Sequence, residues 1–240
     1  MVLLHGYAME PEELAPLALA MGLPVALYLP RGSEAALPRG RAWWPVDGER
    51  RAAQIARGAR DLHDAYPPGR DLLRARCAAL VDELLRRHAG RPVVLAGFSQ
   101  GGMLATDLVL HRAVRPQALA LLSSSCIAAR EWEPLATVAR GLPVLVAHGL
   151  RDEDLSIRAG ERLRDLLAAG GARVSWLPFE GGHNIPLQVW RELRRFVAHV
   201  GIPCATSHHA GEGACQGTDT AGHAPYNPRP LNPVQDDDPT

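Results

Sequence analysis

The sequence predicts a single α/β domain with a mostly parallel central sheet and helices on both faces. Three observations carry this. Apolar runs about five residues long recur at Pro92-Val93-Val94-Leu95-Ala96, Ala118-Leu119-Ala120-Leu121-Leu122 and Pro143-Val144-Leu145-Val146-Ala147, as in strands buried on both faces. Helix-compatible segments alternate with them, and no internal repeat is present. The chain has 240 residues and 47% hydrophobic content, enough for one sizeable core.

In chain order, Val2-Leu3-Leu4 reads as the first strand, followed by a His5-Gly6-Tyr7 turn and a helix over about 11–21. Val25-Ala26-Leu27-Tyr28-Leu29 reads as a second strand that Pro30 ends. Residues 31–69 lack periodicity and are rich in Gly, Pro and Arg, with a helix-compatible piece at about 49–63; so long a connection is usually functional or flexible. It carries Trp43-Trp44-Pro45. The adjacent tryptophans either wall an apolar substrate pocket or divide between core and surface. Residues 71–88 form an amphipathic helix whose apolar positions are Leu72, Leu73, Ala75, Leu80, Leu84 and Leu85, with Cys77 on its packed side. After the strand at 92–96 comes the helix-forming stretch 102–110. Strand 118–122 leads into Ser123-Ser124-Ser125, read as backbone-capping loop, and Trp132 is placed towards the cleft. Strand 143–147 is followed by a helix over about 156–169 that Gly170-Gly171 stops. A last strand at 174–178 and a last helix at about 187–200 complete the domain.

The stretch Gly97-Phe98-Ser99-Gln100-Gly101 joins a strand to a helix. In that context G-x-S-x-G acts as a nucleophile elbow. A serine in so sharp a turn has strained backbone angles, and glycines two positions away remove the Cβ atoms that would clash. The amide of Gln100 then sits at a helix start without a helical partner. Asp152 and His183 follow later strands, each just past the C-terminal end, where an open parallel sheet gathers its site residues. A serine hydroxyl becomes a competent nucleophile when a histidine takes its proton, and a carboxylate fixes that histidine's tautomer. Ser99, Asp152 and His183 are therefore the candidate catalytic residues. The backbone N–H groups of Tyr7 and Gln100 are candidate oxyanion donors. Asp154 competes with Asp152, but it lies further from the strand and suits a helix cap or first-turn acid. His148 precedes the acid and shapes that loop, and Asp107 within the elbow helix is solvated or paired there. Tyr7, Met9, Trp43, Trp44 and Trp132 are candidate pocket lining, suited to an apolar acyl or aryl group.

Composition narrows the alternatives. The formal net charge is zero, so no basic field calls for nucleic acid or an anionic membrane. All the basic side chains are arginines, which excludes lysine Schiff bases and P-loops. No run is long enough to span a bilayer, and the N-terminus lacks the basic region of a signal peptide. The cysteines at 77, 126, 204 and 215 form no close pair. The simplest reading is a soluble cytoplasmic protein with no cofactor and no metal, of unspecified oligomeric state. Residues 201–240 are polar, rich in Gly and Pro, and expected to be a disordered tail. The spacing of Cys204, Cys215, His208, His209 and His223 is too irregular for a metal site.

Leu4-His5-Gly6-Tyr7, Gly97-Phe98-Ser99-Gln100-Gly101-Gly102, His148-Gly149-x-x-Asp152 and Pro178-Phe179-x-Gly181-Gly182-His183 together resemble the phospholipase/carboxylesterase family of α/β-hydrolases. The resemblance covers about residues 1–200 and makes 201–240 a separate tail. It implies the α/β-hydrolase fold without a large cap domain; relatives usually carry one or two strands before the His-Gly strand, so the expectation is a sheet shortened at its N-terminal edge or a true start that lies upstream. It implies Ser99 as nucleophile, Asp152 as acid and His183 as base, with Tyr7 and Gln100 forming the oxyanion hole. Family members act on carboxylic esters, lysophospholipids or thioesters without a cofactor. The expected activity is ester hydrolysis on a small-molecule substrate through an acyl-enzyme. The alternatives are a thioesterase with the same triad and a hydrolase-like binding protein without turnover.

Overall fold

The computed structural model describes residues 1–36 and 38–200. The expected tail at 201–240, with its cysteines and histidines, lies outside the described residues.

Strand β1 (Val2–Leu4) leads through a short 3-10 turn into helix α1 (Ala15–Ala20). A small hairpin of β2 (Glu34–Ala35) and β3 (Arg41–Ala42) follows, then α2 (Gly48–Ile55) and α3 (Arg70–Arg87). The remaining chain alternates: β4 (Val94–Phe98), α4 (Gln100–Leu110), β5 (Ala118–Leu122), α5 (Ala129–Leu135), β6 (Pro143–Gly149), α6 (Ile157–Ala169), β7 (Arg173–Phe179) and α7 (Leu187–His199). The main sheet has the order β1-β4-β5-β6-β7, and every pairing in it is parallel.

Alternate residues of each strand serve two cores, as the period-two pleat requires. Leu95, Leu119, Leu121, Val144 and Val146 pack towards α3, α4, α5 and α6. Val94, Ala96, Ala118, Ala120 and Leu145 pack towards α1 and α7. With both faces covered, the strands read as continuous apolar runs.

Three expectations need correction. The segment 25–29 is not a strand of the sheet. Only Tyr28 bridges to Val2, accepting from Leu3 N–H and donating to Met1 O, both at 2.9 Å. Pro24 and Pro30 flank it and lack the donors a ladder needs. The helix expected over 49–63 ends at Ile55, where Gly58 with φ +130° breaks it. On α3 the buried stripe is Leu73, Cys77, Val81 and Leu84, a spacing of four, four and three, whereas Leu72 and Leu80 face solvent.

Candidate active site

β4 delivers its last residue, Phe98, directly to Ser99, and α4 begins at Gln100. Ser99 has φ +51° and ψ −116°, a conformation that L-residues adopt only when their surroundings hold them there. Its amide donates to Leu122 O at 2.9 Å, and Ser124 Oγ donates to its carbonyl at 3.1 Å. The serine loop after β5 thus braces the elbow. A Cβ at position 97 would stand 2.3 Å from the Gly101 carbonyl carbon, and one at 101 would stand 2.3 Å from Leu4 O. The turn can form only with glycine at both.

Asp152 lies on the turn after β6 and is 5% exposed. Its Oδ1 accepts from the amides of Asp154 at 2.9 Å and Leu155 at 2.8 Å. Its Oδ2 accepts the Nδ1–H of His183 at 2.7 Å. A carboxylate only accepts, so Nδ1 carries the proton and Nε2 is the free acceptor. Ser99 Oγ donates to that Nε2 at 2.9 Å. Ser99, His183 and Asp152 therefore form one hydrogen-bonded row, supplied by the ends of β4, β7 and β6. His148, fully buried, donates Nε2–H to Leu155 O at 2.9 Å and lies 3.6 Å from Asp152 Oδ2. It shapes the acid loop as expected. Burial pushes its pKa below the ordinary histidine value.

The amide of Gln100 opens α4, so it has no helical acceptor. Among the described residues neither it nor the amide of Tyr7 has a hydrogen-bond acceptor. His5 braces the Tyr7 loop. Its Nδ1–H donates to Gly6 O at 2.7 Å and its Nε2 accepts from Gly32 N–H at 2.9 Å. Burial lowers its pKa, which suits this neutral form. The Gln100 side chain has a role that no local pattern signals. Its Oε1 accepts from Trp43 N–H at 2.9 Å and its Nε2 donates to Trp44 O at 3.2 Å, pinning the 31–69 segment to the elbow.

The candidate lining residues separate. Tyr7 and Met9 line a cavity of about 340 Å3 together with Ser99 and His183, whose apolar side is Leu14, Leu17, Phe98, Ile185 and Trp190. Trp44 lines a smaller one of about 50 Å3 that also meets Ser99 and shares Tyr7, Arg51 and Asp154 with the first. Trp43 is turned away; it stacks on His5 at 4.8 Å and donates Nε1–H to His5 O at 2.8 Å. Trp132 does not face the cleft. It is fully buried behind α4 and donates Nε1–H to Asp107 Oδ1 at 2.9 Å.

Asp154 does not cap α6; Ser156 is the residue before its first turn. Instead its carboxylate is gripped by Arg51 and Arg60, with Arg60 Nε at 3.1 Å, and it lines both cavities. Burial alone would raise its pKa. The hydrogen bond from Arg60 and the charges of His183, Arg60 and Arg51 outweigh that and hold it below the ordinary carboxylate value. The partners lie about a hundred residues apart in sequence, beyond the reach of any local pattern.

Among the described residues one His/carboxylate group, Asp107, His111 and Glu131, has ligand atoms close enough together for a metal. Arginines already occupy it. Arg70 reaches Asp107 Oδ1 and Glu131 Oε2, and Arg74 reaches Asp107 Oδ2, each at 2.8 Å. A dication would have to displace both. The described cysteines are equally inert, since burial raises the Cys77 thiol to about 11 and the Cys126 thiol to about 12.

A parallel sheet covered on both faces, with a serine on the turn from its second strand into a helix, defines an α/β hydrolase. The chain belongs to the phospholipase/carboxylesterase family, whose model matches residues 1–200. Three solved structures show the same architecture. An esterase, PE8, is 24% identical, with a TM-score of 0.69 over 83% of this chain and 91% of its own. The Zea mays acyl-protein thioesterase 2 is 21% identical, with a TM-score of 0.65 over 83% and 92%. A Bacillus cereus carboxylesterase is 19% identical, with a TM-score of 0.66 over 83% and 88%. At these identities the likeness is one of fold. No curated protein matches the chain in sequence. Among the described residues no helix is long and apolar enough to cross a membrane.

Proposed function

We propose that the protein is a serine hydrolase that cleaves carboxylic esters of small molecules. The observation that supports this most is the continuous row Ser99 Oγ–His183–Asp152, with contacts of 2.9 and 2.7 Å, at a cavity with one apolar side. Ser99 Oγ attacks the ester carbonyl carbon while Nε2 of His183 takes its proton. Asp152 stabilises the resulting imidazolium. The amides of Tyr7 and Gln100 donate to the oxyanion; removing one such donor costs about 3–4 kcal/mol in transition-state stabilisation. The alcohol leaves with the proton from Nε2, and water then hydrolyses the acyl-enzyme. Neither a metal nor a cofactor has a part in these steps.

The larger cavity suits an apolar acyl group, and its volume falls in the range of roughly 300–1,000 Å3 usual for small-molecule sites. The test is labelling with a fluorophosphonate, read by peptide mass spectrometry, beside turnover of p-nitrophenyl esters of increasing acyl length. Modification of Ser99 and loss of turnover in Ser99→Ala support the reading. Folded protein that takes no label and turns over no ester would return the protein to the class of hydrolase-like binders. The same acyl groups offered as thioesters rank the two substrate classes.

A further inference from the structure

The cluster of Asp154, Arg51 and Arg60 has no part in the steps above, yet it stands beside the reacting atoms. Asp154 Oδ2 lies 3.8 Å from His183 Nε2, the nitrogen that faces Ser99 Oγ. The carboxylate is held at both ends. Arg51 takes Oδ2 and Arg60 takes Oδ1, while its own backbone amide donates to Asp152 Oδ1 at 2.9 Å. Asp154, Ser99 and His183 line the same cavity.

Once Ser99 carries an acyl group, its Oγ has no proton to donate. Nε2 of His183 is then an acceptor without a donor, and the ionised Asp154 is a second acceptor next to it. A water molecule offers two O–H donors. One placed about 2.8 Å from each acceptor, an ordinary hydrogen-bond length, spans a 3.8 Å gap. We propose that Asp154 is a further catalytic residue, which orients the hydrolytic water for attack on the acyl-enzyme. The proposal rests on the serine-hydrolase reading.

The step balances as follows. The water oxygen attacks the carbonyl carbon of the Ser99 ester and gives one proton to Nε2. Its other proton stays on oxygen, hydrogen-bonded to Asp154 Oδ2. The tetrahedral intermediate collapses, the bond from carbon to Ser99 Oγ breaks, and Oγ recovers the proton from Nε2. The carboxylic acid product keeps the second proton and loses it to solvent.

Methanol separates this role from general support of His183. It has one hydroxyl proton, which His183 takes, so methanolysis of the acyl-enzyme has nothing to offer Asp154. The experiment follows p-nitrophenyl butyrate turnover in methanol–water mixtures and measures methyl ester against free acid. In Asp154→Asn the initial p-nitrophenol burst should persist, hydrolysis should fall about tenfold, and the ratio of methyl ester to acid should rise by the same factor. An unchanged ratio overturns the proposal, even where both rates fall, because a structural or purely electrostatic effect on His183 slows both nucleophiles alike. If Asp154→Asn fails to fold, the triple variant Arg51→Met, Arg60→Met, Asp154→Leu removes the whole cluster without stranding a charge and is read the same way. Fluorophosphonate labelling of wild-type Ser99, run in parallel, separates the two failures. No label sinks the hydrolase reading, whereas label with an unchanged ratio sinks only the role of Asp154.

Discussion

Helix α4 begins at one buried charged cluster and passes through another. At its N-terminus stand Ser99, His183, Asp152, Asp154, Arg51 and Arg60. Two turns on, Asp107 is surrounded by Arg70, Arg74, His111, Glu131 and the indole of Trp132. Both contain a nearly fully buried aspartate held by two or more donors, and among the described residues it is the cluster around Asp107 whose ligand atoms are spaced for a metal. The difference is access and spare acceptor capacity: at the back the buried Arg70 Nε lacks a partner, but no cavity at Ser99 reaches it. Around Asp107 each carboxylate oxygen is bonded, and none of the cluster's residues lines the cavities at Ser99. Around Ser99 a cavity meets the row, two amides lack acceptors, and Nε2 is an acceptor supplied by one hydroxyl. Buried charge locates a functional site only where some bonding capacity is left for a substrate.

Substitutions can sharpen or break this contrast. The row of Ser99, His183 and Asp152 should govern activity with little effect on stability, and the back cluster the reverse. The largest effect belongs to Ser99→Ala, for which kcat on a p-nitrophenyl ester should fall on the order of 10^6-fold while urea unfolding moves by less than about 1 kcal/mol. Asp152→Asn comes next. Its Oδ1 can still accept from the two amides, but an amide NH2 facing His183 favours the wrong tautomer, so kcat should fall about 10^4-fold in a protein that remains folded. At the back, Asp107→Ala leaves Arg70 and Arg74 without their shared partner in the interior. Urea unfolding should show a loss of about 3–5 kcal/mol, and below the transition kcat should stay within twofold. A large fall in kcat with unchanged stability would merge the two clusters into one functional unit.

Two smaller effects sharpen the boundary. Gly160 leaves room for His148: a Cβ there would stand 2.4 Å from its Nδ1. Gly160→Ala should therefore cost roughly 1–3 kcal/mol of stability, read as a lowered Tm, and should reduce activity through the displaced acid loop. The smallest effect is pH dependence. Burial lowers the pKa of both His5 and His148 in the folded chain. Below about pH 6.5 the unfolded chain takes up protons that the folded one refuses, so stability falls as pH drops through that range. Tm measured between pH 8 and 5 should decline, and His148→Gln should flatten part of the decline. Asp154 acts in a lower window, because its folded pKa is held below the ordinary carboxylate value. Its contribution is complete above about pH 4 and is lost as pH falls through that folded value.

The elements that position the row were readable because their signals are local. Four core strands are short apolar runs, the elbow is written in five consecutive residues, and Asp152 and His183 follow strands directly. What the sequence hid was decided by distant partners. Trp132 lies in a polar segment, which suggested a ring facing the cleft, but its buried indole satisfies a carboxylate on α4. Asp154 has the position of a helix acid, but two arginines from the 31–69 segment claim it. The segment 25–29 has strand composition, but its flanking prolines leave Tyr28 alone to pair with β1. In the first two cases a long-range contact overrode a local expectation; in the third, neighbouring prolines without donors limited a strand propensity.

The pinning of Trp43 and Trp44 by the Gln100 side chain joins two parts of the molecule that are built differently. The proposed bond-breaking residues, Ser99, Asp152 and His183, follow the ends of sheet strands. The 31–69 segment is held against that platform by Trp43 and Trp44 in the core, by Gln100 and the imidazole of His5, and by backbone hydrogen bonds that tie Arg60 to Asp154 and Ser156, His63 to Ala129 and Ala65 to Ala128. Within that segment, Val46 and Leu62 line the smaller cavity at Ser99, so exchanging them would reshape what meets the serine while leaving the strand ends that hold the row untouched.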